Sequence, residues 1–159
     1  SKTELVKFAM EGERLASDVA HADNVAPALF GGFTLVRSYS PLDIISIPAP
    51  TELYVTIIHP QIEIKTSDSR KILKTTISMA LSQTAFALIP GFDEVKKVSI
   101  EAGALGSGIS GSGPSIFAFS KGKESALKVG NAMKSVYDKI GIAYEIHVSK
   151  INMEGVKLL

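Results

Sequence analysis

Between residues 92 and 120 the chain runs from a helical pattern, through a stretch holding five of its thirteen glycines, straight into a buried strand. That order constrains the fold more than any other feature. The stretch reads Gly103-Ala-Leu-Gly106-Ser-Gly108-Ile-Ser-Gly111-Ser-Gly113-Pro114. Before it, Val95, Val98, Ser99 and Ala102 fall at helical spacing, with Asp93 as the expected N-cap and Gly103 just past the end. After it, Ser115 to Ser120 is apolar enough for a core strand. Gly106-x-Gly108-x-x-Gly111 has the letters of a dinucleotide fingerprint, but that motif needs a strand before it and a helix after it. Here the order is reversed, and no Gly-Lys-Ser/Thr follows, so the Walker P-loop is excluded as well. Leu105 and Ile109 inside the stretch argue for an ordered loop over a flexible linker. Glycines let successive N–H groups face one concavity and hold an anion, with phosphate the obvious candidate.

The flanking patterns supply the architecture. Residues 4 to 17 have helical periodicity, and a short helix follows with Asp23 or Asn24 as its cap, Pro27 in its first turn and Gly31-Gly32 at its end. Residues 33–37 and 44–47 read as strands joined through Ser40-Pro41, and Pro48 and Pro50 mark a boundary. We therefore expect one domain over 1–50 and another over 51–159. The second starts with strand 53–58 and a helical region from about Ser67. It then runs through the helix before the glycines, strand 115–120, helix 123–139 ended by Gly141, and an alternating strand at Tyr144, Ile146 and Val148. Leu127, Met133, Val136, Tyr137 and Ile140 form the apolar stripe of the long helix. Residues 156–159 are expected to pair at a sheet edge. This order of elements predicts an α+β fold, a two-layer sandwich of ferredoxin-like type.

Composition narrows the function. At 45% hydrophobic and 21% charged residues the chain can bury a core. A net charge of +1 without a Lys/Arg cluster excludes nucleic acid as a partner. No apolar run is long enough to span a bilayer, so no membrane partner is expected. The absence of cysteine removes disulfides, thiolate metal sites and a Cys nucleophile, and suits a cytoplasmic location.

Four groups of side chains can carry chemistry. On the first helix Leu5, Val6, Ala9, Gly12 and Ala16 define a core-facing arc that contains Glu13, while Glu11 faces solvent. A carboxylate losing hydration needs a cation, a metal or donors; the alternative is a wet arc edge along which Glu13 snorkels. His21, Asp23 and Asn24 cluster beside a helix start whose free N–H groups favour anions, the alternative being a plain cap with a surface histidine. His59 and His147 read as structural or solvated, and are too scattered for zinc. Arg70, one of three arginines, can grip a carboxylate in two parallel bonds or make an ordinary surface ion pair.

Taken together, Glu11-Gly-Glu13, the run His21-Ala-Asp-Asn-Val-Ala-Pro-Ala-Leu-Phe-Gly-Gly-Phe33, His59-Pro60, Thr66 to Arg70, Ile89-Pro-Gly-Phe92 and Gly108 to Pro114 resemble the homoserine kinases of the GHMP superfamily. The resemblance implies the end of a ribosomal-protein-S5-like N-terminal domain followed by the ferredoxin-like GHMP C-terminal domain. It implies an ATP-dependent, cytoplasmic small-molecule kinase that phosphorylates the side-chain hydroxyl of L-homoserine in threonine biosynthesis. ATP and Mg2+ are the implied cosubstrate and metal, and a homodimer is left open. By motif, Glu13 matches the magnesium ligand. His21, Asp23 and Asn24 match the pocket for the substrate's amino and hydroxyl groups, with Asp23 and Glu13 the catalytic pair. Arg70 matches the carboxylate clamp, and Gly108, Ser110, Gly111, Ser112 and Gly113 match the motif that supports the nucleotide loop. That nucleotide loop, Pro-x-x-x-Gly-Leu-Gly-Ser-Ser-Ala, has no counterpart in the chain, nor has a second carboxylate-binding arginine between Arg70 and Ile89. We expect the chain to be part of a longer protein and to be inactive alone. The alternatives are another GHMP kinase, of mevalonate type, and a non-catalytic ferredoxin-like binding module.

Overall fold

The computed structural model describes residues 1–17, 19–62, 89–111 and 113–157. The chain forms two compact units, Ser1–Thr51 with Ile151–Leu159, and Glu52–Lys150.

In the first unit, α1 (Lys2–Ser17) and α2 (Ala22–Phe30) pack beside an antiparallel hairpin of β1 (Phe33–Tyr39) and β2 (Leu42–Ile47). The hairpin register runs Tyr39↔Leu42, so Ser40 and Pro41 form the loop, and a shift between Val36 and Ser38 interrupts the ladder at Arg37. The core centres on Val6, Ala22 and Ala26, with Met10, Val25, Leu29, Phe30, Val36, Leu42 and Ile44 around it. Two arc residues read from the sequence prove wrong, since Leu5 and Gly12 are exposed. The helix carries two apolar stripes, and the Val6–Met10 stripe is the one that meets the small side chains Ala22 and Ala26, over which two helices can approach closely. Leu5, Phe8 and Leu15 form the other stripe and face outward.

The start of α2 also differs from expectation. His21 is the N-cap, the helix begins at Ala22, and Pro27 lies in the helix interior rather than its first turn. At the other end the C-terminal segment satisfies one helix carbonyl, that of Ala28, and accepts from the chain just past the helix. Val156 N–H donates to Ala28 O (2.9 Å), and Gly32 N–H donates to Asn152 O (2.7 Å). Val156 thus meets a helix end, residues 156 and 157 form no strand, and 158–159 lie outside the described residues.

The second unit contains β3 (Leu53–Pro60), α3 (Phe92–Glu101), β4 (Gly106–Ile109), β5 (Ile116–Lys121), α4 (Lys123–Ile140) and β6 (Tyr144–Lys150). The antiparallel sheet has the order β4-β5-β3-β6, which is the ferredoxin-like arrangement. The helical region expected from about Ser67 lies outside the described residues. On the helix-facing side Ile58, Ile116 and Ala118 pack against Val95 of α3 and Val129, Met133, Val136 and Tyr137 of α4. Thr56, buried in that layer, donates its hydroxyl to Ala126 O at 2.9 Å. Of the stripe read on α4, Leu127 and Ile140 are about half exposed, and Ala126, Val129 and Gly130 are buried instead. Small residues there let the helix lie close to the sheet. Gly91, with φ 76°, caps α3 in place of Asp93, so the helix starts at Phe92, whose ring is in the core.

Two buried hydroxyls, those of Ser120 and Tyr137, lack a partner among the described residues. An unpartnered polar atom costs desolvation without return, so Tyr137→Phe should be neutral or stabilising by up to about 1 kcal/mol in denaturant unfolding. A loss of more than about 2 kcal/mol would show that the hydroxyl has a partner. Burial also pushes this phenol up to about 12 from an ordinary 10. Because the folded state favours the neutral form, stability is intact below pH 10 and falls as pH rises toward 12. Tyr137→Phe should blunt that alkaline loss.

Candidate functional site

Two features of the first unit and one of the second carry the candidate chemistry. On α1, Glu13 lies on the face that carries Val6 and Met10, 100° steps placing it between them and Ala9, and it is half-buried. Glu11, on the opposite side, is exposed and pairs with Arg14 at 2.8 Å, as expected. A partly dehydrated carboxylate on a rigid helix is a hard oxygen donor. Magnesium takes one or two such carboxylates and completes its shell with water and substrate phosphates. Among the described residues no group of three or more His, Cys, Asp or Glu could hold a metal.

The start of α2 gathers His21, Asp23 and Asn24 into one turn. His21 is half-buried and Asp23 and Asn24 are exposed. No side chain caps the helix: His21 adopts extended geometry (φ −96°, ψ 128°) and its ring makes no cap bond. The Ala22 N–H instead donates to the Tyr39 hydroxyl at 3.3 Å. This turn therefore presents an imidazole, a carboxylate and a carboxamide around a partially positive helix end. Tyr39 was invisible to the sequence reading, because it reaches α2 from the hairpin, 17 residues away in the chain.

In the second unit the glycine stretch is half strand and half turn. Gly106 to Ile109 form β4, with Gly108 opposite Phe117 of β5. Gly108 leaves little room for a side chain, since an added Cβ would come within 3.2 Å of the Phe117 ring, which would have to shift slightly. The turn carries Ser110, Gly111 and Gly113. Ser110 N–H donates to Ser115 O (2.8 Å), and Gly113 N–H donates to Ser110 O (3.0 Å). Two of the amides that the sequence suggested for anion binding are thus used within the turn, which makes the turn a brace more than a cradle. His59, read as structural or solvated, is half-buried, and its Nδ1 lies 2.8 Å from the Ser115 hydroxyl. His147 is exposed beside Glu145, as expected for the polar face. Arg70 and Ser112 lie outside the described residues.

Comparison with known proteins follows the same lines. Residues 69–139 match the family model described as GHMP kinases C terminal. The whole chain aligns with a homoserine kinase of Chlorobium phaeobacteroides at 42% identity, covering 60% of that relative. A homoserine kinase of Pyrococcus abyssi is 33% identical over 92% of the chain and 59% of its own length. The crystal structure of homoserine kinase from Cytophaga hutchinsonii superimposes with a TM-score of 0.90 at 45% identity, over 98% of this chain and 59% of that one. The chain thus spans about three-fifths of the length of the relatives it matches. The Chlorobium alignment extends over 193 residues against 159 here, so that relative carries insertions with no counterpart in this chain.

Proposed function

We propose that the chain belongs to the GHMP kinases, since it matches their C-terminal family model over residues 69–139 and homoserine kinases along its whole length, and from that premise we assign the activity of the protein that carries it. That protein transfers the γ-phosphoryl group of ATP to the side-chain hydroxyl of L-homoserine, giving O-phospho-L-homoserine. The observation that carries the reading is the α2 start, where three groups suited to a zwitterionic amino alcohol share one turn.

Phosphoryl transfer asks a protein mainly for alignment and for charge stabilisation. In this reading Glu13 holds the magnesium ion, which when bound offsets charge on the phosphate oxygens. Asp23 takes the substrate's ammonium or accepts a hydrogen bond from its hydroxyl, orienting the oxygen that attacks. His21 and Asn24 fix the rest of the amino alcohol. The β4–β5 turn carries the motif matched to support of the nucleotide loop, and the protein works in the cytoplasm. Homoserine should be turned over with a kcat/KM far above that of mevalonate, measured with ATP and magnesium. Equal or better turnover of mevalonate would reject the substrate assignment.

Arg70 is assigned the substrate carboxylate on motif alone. Replacing it with alanine should raise the KM for homoserine about 30-fold, the equivalent of roughly 2 kcal/mol for a charged hydrogen-bonded contact, with a smaller change in the KM for ATP. An unchanged homoserine KM removes Arg70 from the site.

A further inference from the structure

We propose that His59 is a positioning residue for the glycine turn, tying it to the central strand of the ferredoxin-like sheet so that the turn can support bound ATP. The proposal rests on the kinase reading above for its ligand.

The β3–β5 ladder ends at Ile58↔Ile116. One step further along, His59 and Ser115 stand across from each other, and their side chains bond at 2.8 Å, Nδ1 to Oγ. Both residues are half-buried. Ser115 is also the closing residue of the turn, because its carbonyl accepts the Ser110 N–H at 2.8 Å. The residue that shuts the turn is therefore held from both sides, by its main chain to Ser110, which follows β4, and by its side chain to β3. Beyond that rung, among the described residues Gly111, Gly113 and Pro114, the main-chain bond within the turn is Gly113 N–H to Ser110 O at 3.0 Å. Ser110 and Gly111 are exposed, and the packing found under the turn is at Gly113, where an added Cβ would meet Ile89 Cδ1 at 3.0 Å. β4 is an edge strand of four residues, two of them glycine, so it offers few side-chain contacts of its own. The His59–Ser115 bond thus extends the β3–β5 ladder by a side-chain link to the turn, carrying the rigidity of β3, paired on both sides, one step further.

The test uses the protein that carries this chain, with amide exchange of Ser110 and the separate KM values for ATP and homoserine as readouts. Loss of one partly buried hydrogen bond is worth about a fivefold change in an equilibrium. His59→Ala should therefore speed Ser110 exchange and raise the KM for ATP, each about fivefold, while the KM for homoserine stays put. His59→Asn, whose amide occupies the place of Nδ1, should restore both. Ser115→Ala should reproduce the alanine effect, with nothing added in the double variant. Unchanged exchange in His59→Ala, or His59→Asn behaving like alanine, overturns the proposal. Faster exchange with an unchanged KM for ATP, or with both KM values rising together, makes His59 a general structural contact and overturns it too. No turnover by the unsubstituted protein would instead refute the kinase reading, an outcome the exchange measurement keeps separate.

Discussion

Glu13→Ala should lower magnesium-dependent turnover by about 10²- to 10³-fold, the range seen when one group stabilising transition-state charge is removed. The expectation follows from where the carboxylate sits. A glutamate on the exposed side of α1, such as Glu11, is hydrated and ion-paired, and its loss should be silent. Glu13 shares the face of Val6 and Met10, which is packed against α2, so its carboxylate is partly stripped of water and fixed by the helix. That cost is tolerated when a cation compensates it. Glu13→Gln keeps the shape and loses the charge, and should be nearly as slow as the alanine variant. Raising magnesium should recover part of the rate in both. The measurement is kcat as a function of magnesium concentration, alongside Glu11→Ala as control. An unchanged magnesium dependence for Glu13→Ala removes this residue from the metal site.

The second large effect concerns stability. Gly31 and Gly155 both have left-handed φ (77° and 68°), and each faces backbone rather than side chain. A Cβ on Gly31 would lie 2.4 Å from Gly155 N, and one on Gly155 would lie 2.4 Å from Leu29 O. No rotamer change relieves an overlap with main chain. Gly31→Ala should therefore push the C-terminal segment off the end of α2, breaking the Val156–Ala28 and Gly32–Asn152 bonds. Strain plus the lost hydrogen bonds should cost about 2–4 kcal/mol. Gly32 is the internal control. Its φ is also positive, but an added Cβ meets only the flexible Met153 side chain, at 3.2 Å, so Gly32→Ala should cost about 1 kcal/mol. Denaturant unfolding, with amide exchange at Val156, separates the two; equal costs would mean that the close approach is not what selects glycine at Gly31.

What the sequence revealed, and what it hid, follows from the range of the forces involved. Periodicity and glycine stops are local, so α1, α4 with its Gly141 cap and the alternation along β6 were legible, and their order was enough for the ferredoxin-like class. The choice between two apolar stripes on α1 was not legible, because it depends on the small residues Ala22 and Ala26 of another helix. The caps were misread for a related reason. Asp23, Asn24 and Asp93 are good caps by residue type, yet burial of Ala22 and Phe92 draws both helix starts earlier and leaves His21 and Gly91 at the caps. Half of the glycine stretch became strand because β5 offered an open edge, which no local pattern announces. Of the candidate site, the residue types were visible from motif, whereas Tyr39 at the α2 start and His59 behind the turn are contacts made across 17 and 56 residues of chain. Only tertiary structure reveals them.

The central claim is that this chain serves phosphoryl transfer to homoserine. The direct measurement is phosphorus NMR of the protein that carries the chain, incubated with ATP, magnesium and L-homoserine. A phosphate monoester signal on the homoserine side-chain oxygen, growing in step with ADP, is the predicted result. ADP formation without that ester, or no consumption of ATP when homoserine is added, would contradict the account.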